Sequence, residues 1–272
     1  MQCFHSTPKE ILFMLWRNQE LIRASVRRDI LGRYRGSAFG LLWSFFNPLF
    51  MLAVYTFVFS EVFNARWSSG SDSKTEFALI LFSGMLVFNL FAECINQAPT
   101  LIVSNANYVK KVVFPLEILP VVSLLSGLFH TTISLVVWIL AYTIFFGMPH
   151  ITVIYLPLIF FPYMLFILGL GWMLASLGVY FRDVSQVVGV FTTVLMFMSG
   201  VFYPISSLPE VYQSLLYLNP LVPVIEQTRA ILYFGQIPDF SMIALYWVTT
   251  SVIAWLGFVW FQKTRKGFAD VL

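Results

Sequence analysis

Charged side chains are absent from residues 36–60, 118–181, 184–209 and 240–262, and each run is dominated by Leu, Val, Ile, Phe and Met. A helix of about 20 apolar residues crosses a bilayer core about 30 Å thick. The 118–181 run is long enough for two crossings joined by a turn at Gly147-Met148-Pro149-His150, and a shorter run, 77–92, continues past Glu93 to complete another. The pattern predicts six spans, at about 38–60, 77–98, 118–146, 151–179, 185–204 and 242–261. Helices rather than a barrel follow, because lipid offers no partner to backbone polar groups and the alternating segments of a membrane barrel are missing.

Ahead of the first span the period changes. Residues 9–33 set Ile11, Leu15, Ile22, Val26 and Ile30 at four- and seven-residue spacings, with Arg17, Glu20, Arg23 and Arg27 displaced to another face. This predicts a basic amphipathic helix, a type that lies in the headgroup plane with its arginines near anionic lipid. Arg27, Arg28, Arg33 and Arg35 crowd against the first span. Electrostatic anchoring accounts for them; so does docking of a soluble partner, with Arg33 and Arg35 meeting a phosphate-bearing lipid. Arginine suits phosphate because its planar fork makes two parallel hydrogen bonds.

Two connections stand out. Residues 98–120 carry Lys110 and Lys111 and are punctuated by Pro115 and Pro120, which predicts a short surface helix over about 100–112, either a plain connector or a lever. Residues 205–240 hold two short semi-apolar segments, 209–217 and 222–234, around Asn219-Pro220. Neither is long enough to span, so a pair of half-inserted outer gate helices over about 205–235 is expected, since such backbone survives at membrane depth only when buried or lining water. Glu226 and Arg229 stand three apart and are expected to pair on one helix face.

Composition agrees with the pattern. Of the 272 residues 59% are hydrophobic and 11% charged, against roughly 45–50% and 25% in soluble domains, which excludes a soluble fold. Of the 16 Lys and Arg, 13 fall on one alternating set of segments and 3 on the other, so both termini are expected in the cytoplasm. The chain then divides into a cytoplasmic interface helix, 1–35, and a transmembrane region, 36–272. Cys3 and Cys94 suggest neither a disulfide framework nor a metal site. Residues 1–10 do not lead into a signal-peptide core, and nothing points to a nucleic-acid partner.

Within the spans, Asn89, Glu93 and Gln97 form an i, i+4, i+8 polar stripe near the cytoplasmic headgroups. Proton coupling and an interfacial or interhelical bond are the two readings of Glu93. His130 reads as a packed interhelical residue. Trp43, Phe46 and Phe50 repeat at helical spacing on the first span, and Phe191, Met198 and Phe202 do so on the fifth, with Phe197 and Tyr203 beside them. Such stripes face lipid or core, or line a conduit in which rings meet the C–H faces of sugars weakly at many places.

No phosphate-binding loop, zinc-binding helix or nucleophile elbow is present. The chain is therefore expected to be a transport subunit rather than an enzyme, driven by another polypeptide that pushes on residues 9–35, 100–112 and 180–186. Matching halves with broken spans, the mark of a secondary transporter, are missing too.

The segments RRDILGRYRGSAFGLLWSFFNPLFMLAVYTFVF, NANYVKKVVFPLEILP, YFRDVSQVV, SGVFYPISSLPE and LNPLVPVIEQTRAIL resemble, in order and spacing, the permease subunits of type 2 ABC polysaccharide exporters. The RYRGSAFGLLW form sits closer to the O-antigen and teichoic-acid branch than to capsule exporters. The resemblance implies an inner-membrane homodimer of six-span subunits with two separate nucleotide-binding subunits, exporting a polyprenyl-diphosphate-linked glycan, with O-antigen the expected cargo. ATP and magnesium would sit on the partner and no cofactor on this chain. Asn105, Asn107, Tyr108, Lys110 and Lys111 would lie in the coupling helix, Arg182-Asp183 in the turn after the fourth span, and Arg33 and Arg35 at the lipid diphosphate. Trp43, Phe46, Phe50, Phe191, Phe197, Phe202 and Tyr203 would line the channel. Teichoic acid is the alternative cargo of the same machinery; a membrane-embedded glycan transferase would need a cluster of acids or histidines that the pattern lacks, and a passive channel would need no ATPase. Cysteine labelling of either chain end is expected to require access from the cytoplasmic side.

Overall fold

The computed structural model describes residues 7–58, 67, 74–110 and 114–272, and every regular element among them is helical. In chain order the α-helices are α1 (Pro8–Arg17), α2 (Gln19–Arg33), α3 (Trp43–Tyr55), α4 (Lys74–Gln97), α5 (Ala106–Lys110), α6 (Leu119–Phe146), α7 (Leu156–Tyr180), α8 (Val184–Met198), α9 (Glu210–Leu216), α10 (Leu221–Leu232), α11 (Phe240–Thr264) and α12 (Phe268–Val271). Among the described residues five helical stretches are long and apolar enough to cross a membrane: Gly40–Val58, Thr75–Thr100, Leu116–Phe146, Ile151–Tyr180 and Phe240–Val271. The chain is an all-α, multi-pass membrane protein.

The fifth expected crossing, 185–204, differs. It is α8, a helix of 15 residues that rises about 22 Å at 1.5 Å per residue, short of a hydrocarbon core of about 30 Å. The chain then turns at Gly200, whose φ of +68° suits a residue without a Cβ. Below that turn the two short segments flanking Asn219-Pro220 are the helices α9 and α10.

The single amphipathic helix expected over 9–33 is two helices broken at Asn18. The Asn18 side-chain amide donates to the Met14 carbonyl at 2.9 Å, and its own backbone N–H reaches the same oxygen at 3.1 Å. A short amide side chain that competes for backbone acceptors in this way disfavours helix continuation. The apolar positions still turn inward: Met14 and Ile22 are buried, and Ile11, Leu15 and Val26 pack against the core. Leu12, Phe13 and Trp16 remain exposed on α1.

At the centre stands α4, buried along nearly its whole length, whereas α3 is mostly exposed. Around α4 pack α3, α6, α7, α8 and α10. A helix so enclosed has no water to satisfy neighbouring polar tips, and the aromatic donors find carbonyls instead. Trp138 Nε1–H donates to Leu79 O at 2.8 Å, and the Tyr163 hydroxyl donates to Val87 O at 2.7 Å. On α6 the hydroxyls of Thr131, Thr132 and Ser134 bond back to carbonyls four residues earlier, another way of hiding polarity inside a helix.

The closest pairing is α7 with α11. A Cβ on Gly169 would stand 2.7 Å from Ile253 O, and one on Gly257 would collide with the carbonyl of Gly169. Small residues let two backbones touch, which is how helices gain packing energy where lipid removes the hydrophobic drive. Gly257→Val is expected to force the pair apart at a cost of about 1–3 kcal/mol, read as a lowered unfolding midpoint of the detergent-solubilised protein. Gly189→Ala, with open space around its Cβ, is expected to leave that midpoint unchanged.

Candidate functional site

The aromatic residues read from the sequence lie on uncovered faces. On α3, Trp43, Phe46 and Phe50 are 40, 44 and 67% exposed; on α8, Phe191 and Phe197 are 59 and 57% exposed. Residue phase explains this: Ser44 and Leu52 turn inward from α3, and Val188 and Thr192 from α8, leaving the opposite faces free. Two local clusters form. Phe39 meets Trp43 edge-on at 5.6 Å and Phe46 at 6.2 Å. Phe197 stacks on Phe202 at 5.6 Å, and the Tyr203 hydroxyl donates to Phe197 O at 2.8 Å, so the turn after α8 folds three of the expected rings together. Within one chain α3 packs on α4 and α6, and α8 on α4 and α7.

Behind the aromatic face of α3 lies a polar cavity of about 210 Å³ between α3, α4 and α6 and the end of α2. Arg33 reaches into it and its Nη2 pairs with Glu93 Oε1 at 2.5 Å. Tyr34 Oη stands 3.4 Å from His130 Nδ1. Asn47, Asn89 and Ser134 complete the polar lining, and Ser44 Oγ and His130 Nε2 are buried there without protein partners. Pro48 also faces the cavity; lacking an N–H, it leaves the α3 backbone one hydrogen bond short. The arrangement offers several donors to water or to an anion in an apolar surround. Glu93 thus serves an ion pair, and Gln97 of the same stripe accepts from the Ser123 hydroxyl at 3.1 Å. Arg35 is exposed at the end of α2. The sequence did not single out Tyr34, Asn47 or Ser134. Only the i, i+3 phase of Ser44 and Asn47 on α3 hinted at a polar face.

The expected helix over 100–112 is instead broken into the 3-10 turn Val103–Asn105 and α5. Asn105 turns its side-chain amide onto Leu101 O at 2.9 Å, which favours a turn there over a continuous helix, and Asn107 is exposed. Tyr108 stacks on Phe114 with ring centroids 4.3 Å apart and accepts a hydrogen bond from Arg28 Nη1 at 2.5 Å, joining α2 to this segment. Lys111 and the side chain of Lys110 lie outside the described residues. Arg182 and Asp183 form the tight turn between α7 and α8.

Glu226 and Arg229 do not form the expected pair. Arg229 is 3% exposed, and its guanidinium donates to the carbonyls of Ile80 at 3.3 Å, Gly200 at 2.7 Å and Val201 at 2.5 Å. It also covers the Trp67 ring at 4.4 Å. Glu226 accepts from the Tyr217 hydroxyl at 2.9 Å. The reason is burial: an enclosed guanidinium needs acceptors close at hand, and the carbonyls of Gly200 and Val201 at the turn and of Ile80 in α4 supply them. Gly84 makes room, since a Cβ there would stand 2.6 Å from Arg229 Nη2.

Residues 20–233 match the family model described as ABC-2 type transporter. Over 258 residues the chain is 27% identical to the O-antigen export system permease protein RfbA of Myxococcus xanthus, covering 94% of this chain and 96% of that one. It is 25% identical to the protein of the same name in Klebsiella pneumoniae, over 93 and 95% of the two chains. Similarity extends to the polysialic acid transport protein KpsM of Escherichia coli, 25% identical over 90 and 93%.

Replacing Arg229 by Met is expected to leave the Gly200 and Val201 carbonyls without their side-chain donor and to destabilise the chain by about 2–4 kcal/mol, seen as a lower unfolding midpoint. Gly84→Ala should shift the midpoint in the same direction by crowding the same group.

Proposed function

The chain belongs to the ABC-2 type transporter family, and from that membership we propose that it is the permease subunit of an ATP-driven exporter of lipid-linked polysaccharide, with O-antigen as its cargo. Similarity over nearly the whole length to proteins named as O-antigen export permeases carries the reading. The basic surfaces lie in the cytoplasm of the inner membrane with both chain ends. α8 serves as a short fifth crossing of six, and α9 and α10 dip into the outer boundary as gate helices. ATP and magnesium bind a separate nucleotide-binding subunit that docks on the segment holding Asn105, Asn107, Tyr108, Lys110 and Lys111. Leu12, Phe13 and Trp16, exposed on α1, enter the headgroup layer.

Two copies of the chain enclose the channel. The uncovered rings of α3 and α8, with Phe202 and Tyr203, then face the moving polymer. Ring faces hold sugar C–H surfaces weakly, which lets a chain slide without being trapped. The cargo diphosphate meets Arg33 and Arg35. Because Arg33 is already paired with Glu93, a phosphate replaces one charge-assisted bond by another, and the guanidinium is never left bare.

The test is reconstitution. A Walker-motif subunit is expected to co-purify with the chain and support ATP-dependent export of a polyprenyl-diphosphate-linked glycan from proteoliposomes. Arg33→Glu with Arg35→Glu should keep the complex but slow export about tenfold, the equivalent of one lost charge-assisted hydrogen bond of about 1.5 kcal/mol. Undiminished export would remove both arginines from the diphosphate contact.

A further inference from the structure

We propose that the coupling segment, residues 103–110, is rooted at both ends in the α7–α11 pair, so that a push on it moves that pair as one body, with the Arg265–Glu117 ion pair as the joint. The inference rests on the reading of the chain as a permease driven by a separate ATPase.

Consider the root ahead of the segment. The turn Ala98–Thr100 is buried at Ala98 and Pro99 and packs along α7. The Pro99 carbonyl occupies the space where a Cβ on Gly178 would stand. Backbone against backbone leaves no flexible side chain to absorb a displacement. A shift of residues 98–100 therefore carries α7 with it.

The second root follows the segment. Arg265, just beyond the end of α11, pairs its Nη1 with Glu117 Oε2 at 2.5 Å and donates from Nη2 to Phe114 O at 3.2 Å. Trp172 of α7 donates to the carbonyl of the same Glu117 at 2.9 Å. The Glu117 and Arg265 side chains are only 7 and 16% exposed. A desolvated pair of this kind resists separation, since either partner alone would be a stranded charge. Phe114 in turn stacks on Tyr108 within the segment.

What the roots grip is itself stiff. α7 and α11 touch at Gly169 and Gly257, and Tyr180 Oη donates to Thr264 O at 2.7 Å near the cytoplasmic end. α8 follows α7 across the turn at 181–183. α3 packs on α4 and α6 instead, and α8 packs on α4 as well as on α7. A push is thus converted into displacement of α7 and α11 together relative to α3. Arg265 and Glu117 are positioning residues in this scheme.

Distances between spin labels in the complex with its ATPase subunit test the proposal, measured in nanodiscs without nucleotide and with a non-hydrolysable ATP analogue. Asn107→Cys with Lys263→Cys is expected to give one unchanged distance, while Asn107→Cys with Leu41→Cys shifts. Equal shifts in both would overturn the rigid root. Arg265→Gln should retain complex and ATP hydrolysis while glycan exported per ATP falls about fivefold, and Arg265→Lys should recover part of it. Native export per ATP in Arg265→Gln would overturn the joint. Should that variant fail to assemble, the label distances, taken with the ion pair intact, still decide. If no pair responds to nucleotide, the permease reading fails and the lever with it.

Discussion

Lipid supplies no hydrogen bonds, so each polar group carried into the bundle must be satisfied by the protein itself, at a cost of several kcal/mol where it is not. The architecture follows from this constraint. Arg229 spends its guanidinium on two carbonyls of the turn at Gly200 and on that of Ile80 in α4, which ties α10 to α4 and to the end of α8. Trp138, Tyr163 and Trp172 each spend a single donor on a carbonyl of another helix or connection. Arg265 and Glu117 neutralise one another between the end of α11 and the turn ahead of α6. These bonds fix which helices neighbour which, a choice that apolar contact alone would leave degenerate because lipid tails are as apolar as leucine.

Against this tight interior stand two surfaces left open. The glycine contacts of α7 with α11 leave no room between the backbones, whereas α3 and α8 keep Trp43, Phe46, Phe50, Phe191 and Phe197 uncovered. In a bilayer such faces meet lipid or another chain, since both are equally apolar. The polar cavity behind α3 adds a second asymmetry, since α3 turns rings outward and Ser44, Asn47 and Pro48 inward.

The Arg33–Glu93 pair connects these themes. It draws the end of α2 into the bundle and holds a guanidinium against the polar cavity. Arg28, on the same helix, reaches α5 through Tyr108. One basic helix therefore touches both the cavity and the connection between α4 and α6.

The apolar runs by themselves determined the membrane class, the places of the five long helices, the inward face of the N-terminal segment and the positions of α9 and α10. These depend on lengths and periods that a bilayer and a helix impose locally, so they are written along the chain. Only the tertiary structure decided that α8 stops short, that Asn18 divides the N-terminal helix and that Asn105 ends a turn of its own ahead of α5. It also decided that Arg229 ignores Glu226 three residues away, and that Arg265 finds Glu117 at a separation of 148 residues. Partner choice for a buried charge is set by which acceptors share its dry space, and that sharing is created by packing rather than by spacing in sequence.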